Sequence, residues 1–333
     1  MKTNYLIKLF LINFLIFVIL IELLSFIFII QLNITSRPNF INQSRHHYGD
    51  YNKDFGAWHL PNKSLVHKKS CFEVIYNTNS YGAVDIERDL IGKNRSVVIG
   101  DSIVEGYGIE QNNRFSNILE NKLNIPHLNF GTSGHFGTTQ YNLLYSNLAS
   151  KFKHSKVLIF ITAANDFEDD SYPFGKIIHK DRYRPYFIKE GDNYKLIYTN
   201  RLKNSSFTEK MKNYSSNFTH TYHLLRYLKS RITTKQIQSA SKEVKKEIKE
   251  VTTIKENIQR YSFYNVFNQD GLDLIKFNLL SIKKKAEENN AKLYVILLPT
   301  KPDLDIYFEN KKKIPKLTTE LKNFSKENNI KFI

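Results

Sequence analysis

From Ser96 onward the sequence repeats one unit: a short apolar run, a polar loop, then a stretch with apolar residues at helical spacing. Val97-Val98-Ile99 is closed by Gly100 and followed by Phe115, Ile118, Leu119 and Leu123. His127-Leu128-Asn129-Phe130 leads into a loop with Gly131, Gly134 and Gly137, then into Tyr141, Leu144, Tyr145 and Leu148. Val157-Leu158-Ile159-Phe160-Ile161 is apolar throughout, the pattern of a strand covered on both faces. After a long break the unit returns, with a helix over residues 272–289, a strand over 293–298, a helix near 316–327 and a last strand at 330–333. Strands that alternate with helices pair in parallel through right-handed crossovers. The expected fold is therefore α/β, a doubly wound parallel sheet in a three-layer α/β/α sandwich. Ligands of such sheets bind at the carboxyl ends of the strands.

Ahead of this body, residues 6–32 are almost entirely Leu, Ile, Phe and Val, with Lys8, Asn13, Glu22 and Ser25 among the few interruptions. A hydrocarbon core about 30 Å thick takes about 20 such residues in a helix. A cleaved signal has a shorter apolar stretch of about 7–15 residues and a small-residue cleavage site, and no A-x-A-like site follows here. Lys2 and Lys8 favour an amino terminus in the cytoplasm. Residues 1–32 thus read as one transmembrane signal anchor, with the body outside the cytoplasm, on the periplasmic side of a bacterial membrane. Glu22 inside the run marks a contact with another helix, or a carboxyl that is protonated or reaches water.

Residues 33–94 are rich in turn chemistry, as in Ser36-Arg37-Pro38-Asn39 and Leu60-Pro61-Asn62-Lys63, and read as an irregular linker with short strands, one of them at 72–76. Residues 95–333 form the α/β domain, interrupted at 167–270 by an insertion rich in Tyr, Lys and Asn. Within it, residues 242–256 have helical spacing and a Lys/Glu face suited to solvent. The net charge of +17 does not point to nucleic acid, because no zinc finger, RNP motif or compact Arg stripe accompanies it. It suits an anionic lipid or glycan better. Cys71 is the single cysteine, which excludes an internal disulfide and a Cys-based metal site.

Three loops carry chemistry, and each leaves the carboxyl end of an expected strand. The first is Gly100-Asp101-Ser102, where a sharp bend sets Ser at the start of the next element. The second is Asn129-Phe130-Gly131-Thr132-Ser133-Gly134, whose Gly134 N–H can approach a developing oxyanion without a Cβ in the way. The third is Ala163-Ala164-Asn165-Asp166, where the Asn165 amide offers a neutral donor. Singly each is ordinary turn chemistry. In this order, on consecutive strands, they resemble the SGNH, or GDSL-like, hydrolases, whose blocks carry Ser, Gly, Asn and His. The resemblance covers residues 95–333 apart from the insertion, with Ile103 where the family name has Leu.

The resemblance implies Ser102 as nucleophile, with the Ser102 and Gly134 N–H groups and the Asn165 side chain as oxyanion donors, and neither metal nor cofactor. It implies an ester hydrolase or O-acyltransferase acting on an acylated envelope glycan or lipid. The family's Asp-x-x-His block is not found, since no His follows His223, and the chain is expected to continue past Ile333 to supply it. Two alternatives stay open: a non-catalytic, membrane-anchored binding protein on the same scaffold, and an internal base drawn from His135, His220 or His223. If residues 1–32 are the anchor, a chain lacking them should move from the membrane to the soluble fraction on ultracentrifugation; retention in the membrane would overturn the assignment.

Overall fold

The computed structural model describes residues 2–34, 36–38, 40, 47–68, 72–179, 181–200, 207–239, 267–299, 304, 308 and 314–333. Its first elements are α1 (Lys2–Gln31), β1 (Gly49–Asn52), β2 (Gly56–Trp58), β3 (Ser64–Lys68), β4 (Glu73–Asn77), β5 (Ser96–Ile99) and α2 (Ser102–Glu105). Next come α3 (Phe115–Leu123), β6 (His127–Asn129), α4 (Thr138–Asn147), β7 (Lys156–Thr162), α5 (Ala163–Asp169) and α6 (Tyr172–Ile178). The hairpin β8 (Arg184–Glu190) and β9 (Asn193–Thr199) precedes α7 (Phe207–Phe218) and α8 (His220–Ser239). The chain closes with α9 (Gln269–Glu288), β10 (Lys292–Leu298), α10 (Lys316–Glu327) and β11 (Lys331–Phe332). The helical pattern at 242–256 and Cys71 lie outside the described residues.

These elements fall into two compact units. The smaller takes the described residues within Met1–His46, Lys68–Phe72 and Asn204–Glu247. Its helix α1 is long and apolar enough to cross a membrane, with 27 residues from Tyr5 to Gln31 and a mean hydropathy of 2.8 over an 18-residue window. Glu22 of α1 makes a helix contact, of a specific kind. Its carboxylate accepts from Thr221 N–H at 3.1 Å, Thr221 Oγ1 at 2.7 Å, His220 Nδ1 at 2.9 Å and the His220 N–H, so it caps the amino end of α8. The first N–H groups of a helix have no partner inside it, and a carboxylate there answers both the missing acceptors and the helix dipole. His223 contacts Ser36 Oγ at 2.8 Å and Ser216 O at 2.8 Å, so both His220 and His223 are engaged within this unit.

The larger unit takes the described residues within His47–His67, Glu73–Lys203 and Ile248–Ile333. It is built on a five-stranded sheet of order β6-β5-β7-β10-β11, every neighbouring pair parallel. The chain moves outward from β5 to β6, then returns past β5 to β7, so the direction of winding reverses between β5 and β7. Val97, Ile99, Val157, Ile159, Ile161, Leu293 and Val295 form one core with Tyr141, Leu144, Leu272, Ile275, Leu279, Ile282 and Leu321. Burying each such aliphatic side chain contributes about 1.5–3 kcal/mol. The alternate residues of β7, Leu158 and Phe160, are only half-buried, with Phe160 packed on Phe115 of α3 at 5.0 Å between centroids. The continuous apolar run of β7 is therefore fully covered on one face and partly on the other.

Two expectations about segment boundaries change. Residues 47–94 are not a linker: β1 pairs with β2, β3 with β4, and Phe55, Ala57, Trp58 and Ala83 join the main core. Turn residues there mark tight connections between short strands instead of free chain. The first part of the 167–270 segment likewise belongs to the α/β unit, through α5, α6 and the β8–β9 hairpin.

Loop 130–133 is fastened to β5 and α2. Phe130 N–H donates to Val98 O at 2.8 Å and Thr132 N–H to Gly100 O at 3.1 Å. At Gly131 a Cβ would lie 2.2 Å from the Glu105 nitrogen and 2.5 Å from the Val104 carbonyl carbon. Both neighbours are backbone and cannot rotate away. Gly131→Ala should therefore cost about 1–3 kcal/mol of stability, the usual price of overpacking, measured by urea unfolding in detergent. Parent-like stability would show that the loop does not rest on α2.

Candidate active site

β5 ends at Ile99, and after Gly100 the next residue caps the one-turn helix α2: Asp101 Oδ1 accepts from Ile103 N–H at 2.9 Å. Gly106 ends that turn with φ of 82°, returning its N–H to Ile103 O at 3.2 Å. Ser102 is thereby held half-buried in the first position of α2. β7 runs directly into α5, where Asn165 donates through Nδ2 to Asp101 Oδ2 at 2.9 Å. This bond crosses from the end of β7 to the end of β5, where the winding of the sheet reverses and where open α/β sheets hold their ligands. It ties Asn165 to the residue next to Ser102 and leaves one amide N–H of Asn165 uncommitted to Asp101. Burial pushes the Asp101 carboxyl up, against the lowering effect of its bonds from Ile103 and Asn165.

The third expected residue sits on loop 130–137. Ser133 N–H donates to Glu105 Oε2, and Gly131 N–H to Asn129 Oδ1 at 2.8 Å, so this loop also closes over α2. Gly134 has φ of 105°, where L side chains are strained, and a Cβ would lie 2.5 Å from the ring of Tyr48. Its carbonyl accepts from Arg182 Nη1 at 2.7 Å and Arg184 Nη1 at 3.3 Å. Arg184 is buried and also donates to Asp169 O at 2.9 Å, and Arg182 pairs with Asp50. Ser102 on α2, Gly134 on its loop and Asn165 on α5 thus lie at one end of the sheet, their segments linked through Asp101 and Glu105.

Several residues around this end were not singled out from the sequence. Arg182 and Arg184 lie in what read as an insertion. His135, by contrast, was among the candidate internal bases; its Nδ1 is 3.2 Å from Asp169 Oδ1, with the ring of His179, not foreseen, 4.4 Å from its own. Burial, then the charges of Arg184, His135 and Arg182, drive His179 down to about 3, so it is neutral. Glu105 is fully buried. Burial alone would raise its carboxyl, but the imidazoles of His47 at 2.5 Å and His59 at 3.5 Å hold it well below the usual carboxylate range. One signal was available: four of the ten histidines, His46, His47, His59 and His67, fall within residues 33–94. Two donor sets have the spacing to hold a metal ion, His47 with His59 and Glu105, and His135 with Asp169 and His179. No protein-family model and no curated protein matches the chain.

A further carboxylate fixes the exit of the Gly134 loop. Helix α4 begins at Gly137, which has no side chain to cap it, although its N–H reaches Gln140 Oε1 at 2.9 Å. Asp170 supplies the cap from the far side, accepting from Thr138 N–H at 3.0 Å, Thr139 N–H at 2.9 Å and Thr138 Oγ1. Burial nevertheless pushes Asp170 up to about 6, against the lowering effect of these Thr138 and Thr139 bonds. The folded protein therefore holds this proton more tightly than the unfolded chain does. The stability it contributes is complete below about pH 4 and is lost as pH rises through about 6. Asp170→Asn should flatten the pH dependence of the unfolding midpoint between pH 4 and 7; an unchanged slope would remove Asp170 as its source.

Proposed function

We propose that the chain is a membrane-anchored serine ester hydrolase or O-acyltransferase of the SGNH, GDSL-like type, acting on an acylated envelope glycan or lipid. The observation that carries this reading is the Asp101–Asn165 bond at the winding reversal, which sets an amide donor beside the strand end bearing Ser102. Ser102 Oγ attacks the acyl carbonyl, and the oxyanion is received by the N–H groups of Ser102 and Gly134 and by the Asn165 amide. The tetrahedral intermediate breaks its bond to the ester oxygen, the alcohol leaves with the proton that the base took from Ser102, and the acyl group then passes from Ser102 to water or to a sugar hydroxyl, restoring the serine. Strand order supports the three-layer part of the reading: with right-handed crossovers, α3 goes to one face of the sheet and α4, α9 and α10 to the other. Contacts of Asn142 with Asn278 and of Lys276 with Glu320 join these last three helices. The extracytoplasmic setting rests on Lys2 and Lys8 at the amino-terminal end of α1.

A neutral hydroxyl needs a base. Within this reading the His135–Asp169 pair next to Gly134 is the base. A fluorophosphonate probe applied to the chain in native membranes tests nucleophile and base together. Label on the parent but not on Ser102→Ala supports the nucleophile, and loss of label in His135→Ala assigns the base to the internal pair. A parent labelled no more than Ser102→Ala overturns the catalytic reading of this chain and favours a binding role. Where ester turnover is detected, Asn165→Ala should lower kcat by about 10²–10³, the cost of one oxyanion donor; an unchanged kcat would remove Asn165 from the oxyanion site.

A further inference from the structure

His47 Nε2, His59 Nε2 and Glu105 Oε1 converge inside the larger unit, all within 4.8 Å of one another. Their side chains are 3%, 0% and 0% exposed. Among the described residues none of the three atoms makes a hydrogen bond of ordinary geometry; both imidazoles crowd onto Glu105 Oε1, at 2.5 and 3.5 Å, although buried polar atoms in proteins are ordinarily well paired. The remaining polar atom of two of these residues is satisfied. His59 Nδ1 faces Gly82 O at 3.0 Å, and since a carbonyl only accepts, Nδ1 carries a proton there, which leaves Nε2 as the nitrogen that can take a ligand. Glu105 Oε2 accepts the Ser133 N–H, which turns Oε1 toward the two imidazoles. An outer hydrogen bond that fixes tautomer and orientation is how metal-ligating histidines and carboxylates are held.

We propose that His47, His59 and Glu105 bind a divalent transition-metal cation, zinc by the chemistry of the donors, as a structural clip. A lone buried ion pair accounts for this cluster less well. One proton between imidazole and carboxylate serves a single N–O contact, whereas both Nε2 atoms face the same Oε1. A cation satisfies all three atoms together. Around tetrahedral zinc, with bonds of about 2.0–2.1 Å, neighbouring donors lie about 3.3–3.4 Å apart. The His59 Nε2–Glu105 Oε1 distance of 3.5 Å is already close to that value, and the His47 contact at 2.5 Å has to open by a little under about 1 Å. Two imidazoles with one carboxylate and no thiolate suit zinc, and the fourth ligand has to come from outside this set. The rings of His67 and Tyr76, 4.5 and 4.8 Å from that of His47 by centroid, wall the place in and favour a structural ion.

The clip joins chain from before β1 and after β2 to the last residue of α2, the turn that starts at Ser102. Through Glu105 Oε2 it reaches the loop that carries Gly134. The inference stands whether or not Ser102 is a nucleophile.

The test uses the full chain in detergent, stripped with chelator, dialysed and titrated with zinc chloride by calorimetry, with bound metal counted by plasma mass spectrometry. Close to one zinc per chain is expected, with a rise in Tm on reloading. His59→Gln and Glu105→Gln should each weaken binding by more than the ~10–100-fold that loss of an outer hydrogen-bond partner costs. His135→Gln, in the other donor set, should bind as the parent does. Circular dichroism reports whether each variant folds; should one not fold, cobalt substitution of the parent should give the intense visible bands of a four-coordinate N/O site. No zinc bound by the parent at micromolar metal, octahedral cobalt bands, or loss of zinc in His135→Gln with retention in His59→Gln would each overturn the proposal.

Discussion

Parallel hydrogen bonding between β5 and β7, in register from Ser96 opposite Lys156 to Ile99 opposite Ile159, brings together strand ends that are far apart in the chain. Asp101 and Asn165, which meet just beyond that pairing, are separated by 64 residues. Closing so long a loop carries an entropic cost that grows with its length, and apolar burial along both strands repays it. Because β6 and β10 sit outside this pair, the loops after β5 and β7 face each other with no strand between them. A crevice at that point follows from connectivity, before any side chain is considered.

The loops at this end have a shared problem, since each exposes N–H groups to a region from which water is largely excluded. Buried carboxylates solve it repeatedly. Asp85 accepts from Asn129 N–H at 3.2 Å, Asp101 from Ile103, Glu105 from Ser133, Asp166 from Thr162 N–H at 2.9 Å, and Asp170 from Thr138 and Thr139. A carboxylate has enough lone pairs to hold two loops at once, which a hydroxyl or a single backbone carbonyl does less readily. The cost is desolvation, and burial raises Asp85, Asp101, Asp166 and Asp170 accordingly. Glu105 differs because two imidazoles face it, so its carboxyl is lowered instead.

Legibility in the sequence followed physical range. The runs at 97–99, 157–161 and 293–298 announced their strands because burial demands apolar residues locally, and the structure has β5, β7 and β10 there. Their parallel pairing followed from the intervening helical patterns. Phe72-Glu73-Val74-Ile75-Tyr76 alternated, and β4 occupies Glu73–Asn77. Residues 47–68 could not be read this way, because strands as short as β2, with three residues, carry no period and depend on Phe55 and Trp58 finding the core. Arg182 and Arg184 were equally opaque. A surface arginine and one that clamps Gly134 O look identical in a sequence, and only the fold decides which carbonyl lies within reach. For Ser102 and Asn165 the turn chemistry was visible, and the Asp101 bond between their loops was not.

The cap that Glu22 places on α8 has a consequence for biosynthesis. The acid and its partner Thr221 are 199 residues apart. Chains grow at about 5–20 residues per second, so Glu22 leaves the ribosome about 10–40 s before the helix end that it will cap. Throughout that interval α1 must tolerate a carboxyl in the middle of its apolar surface without its eventual donors. Two elements made at different times are therefore completed as one, and a different apolar stretch of equal length would leave the beginning of α8 without this acceptor.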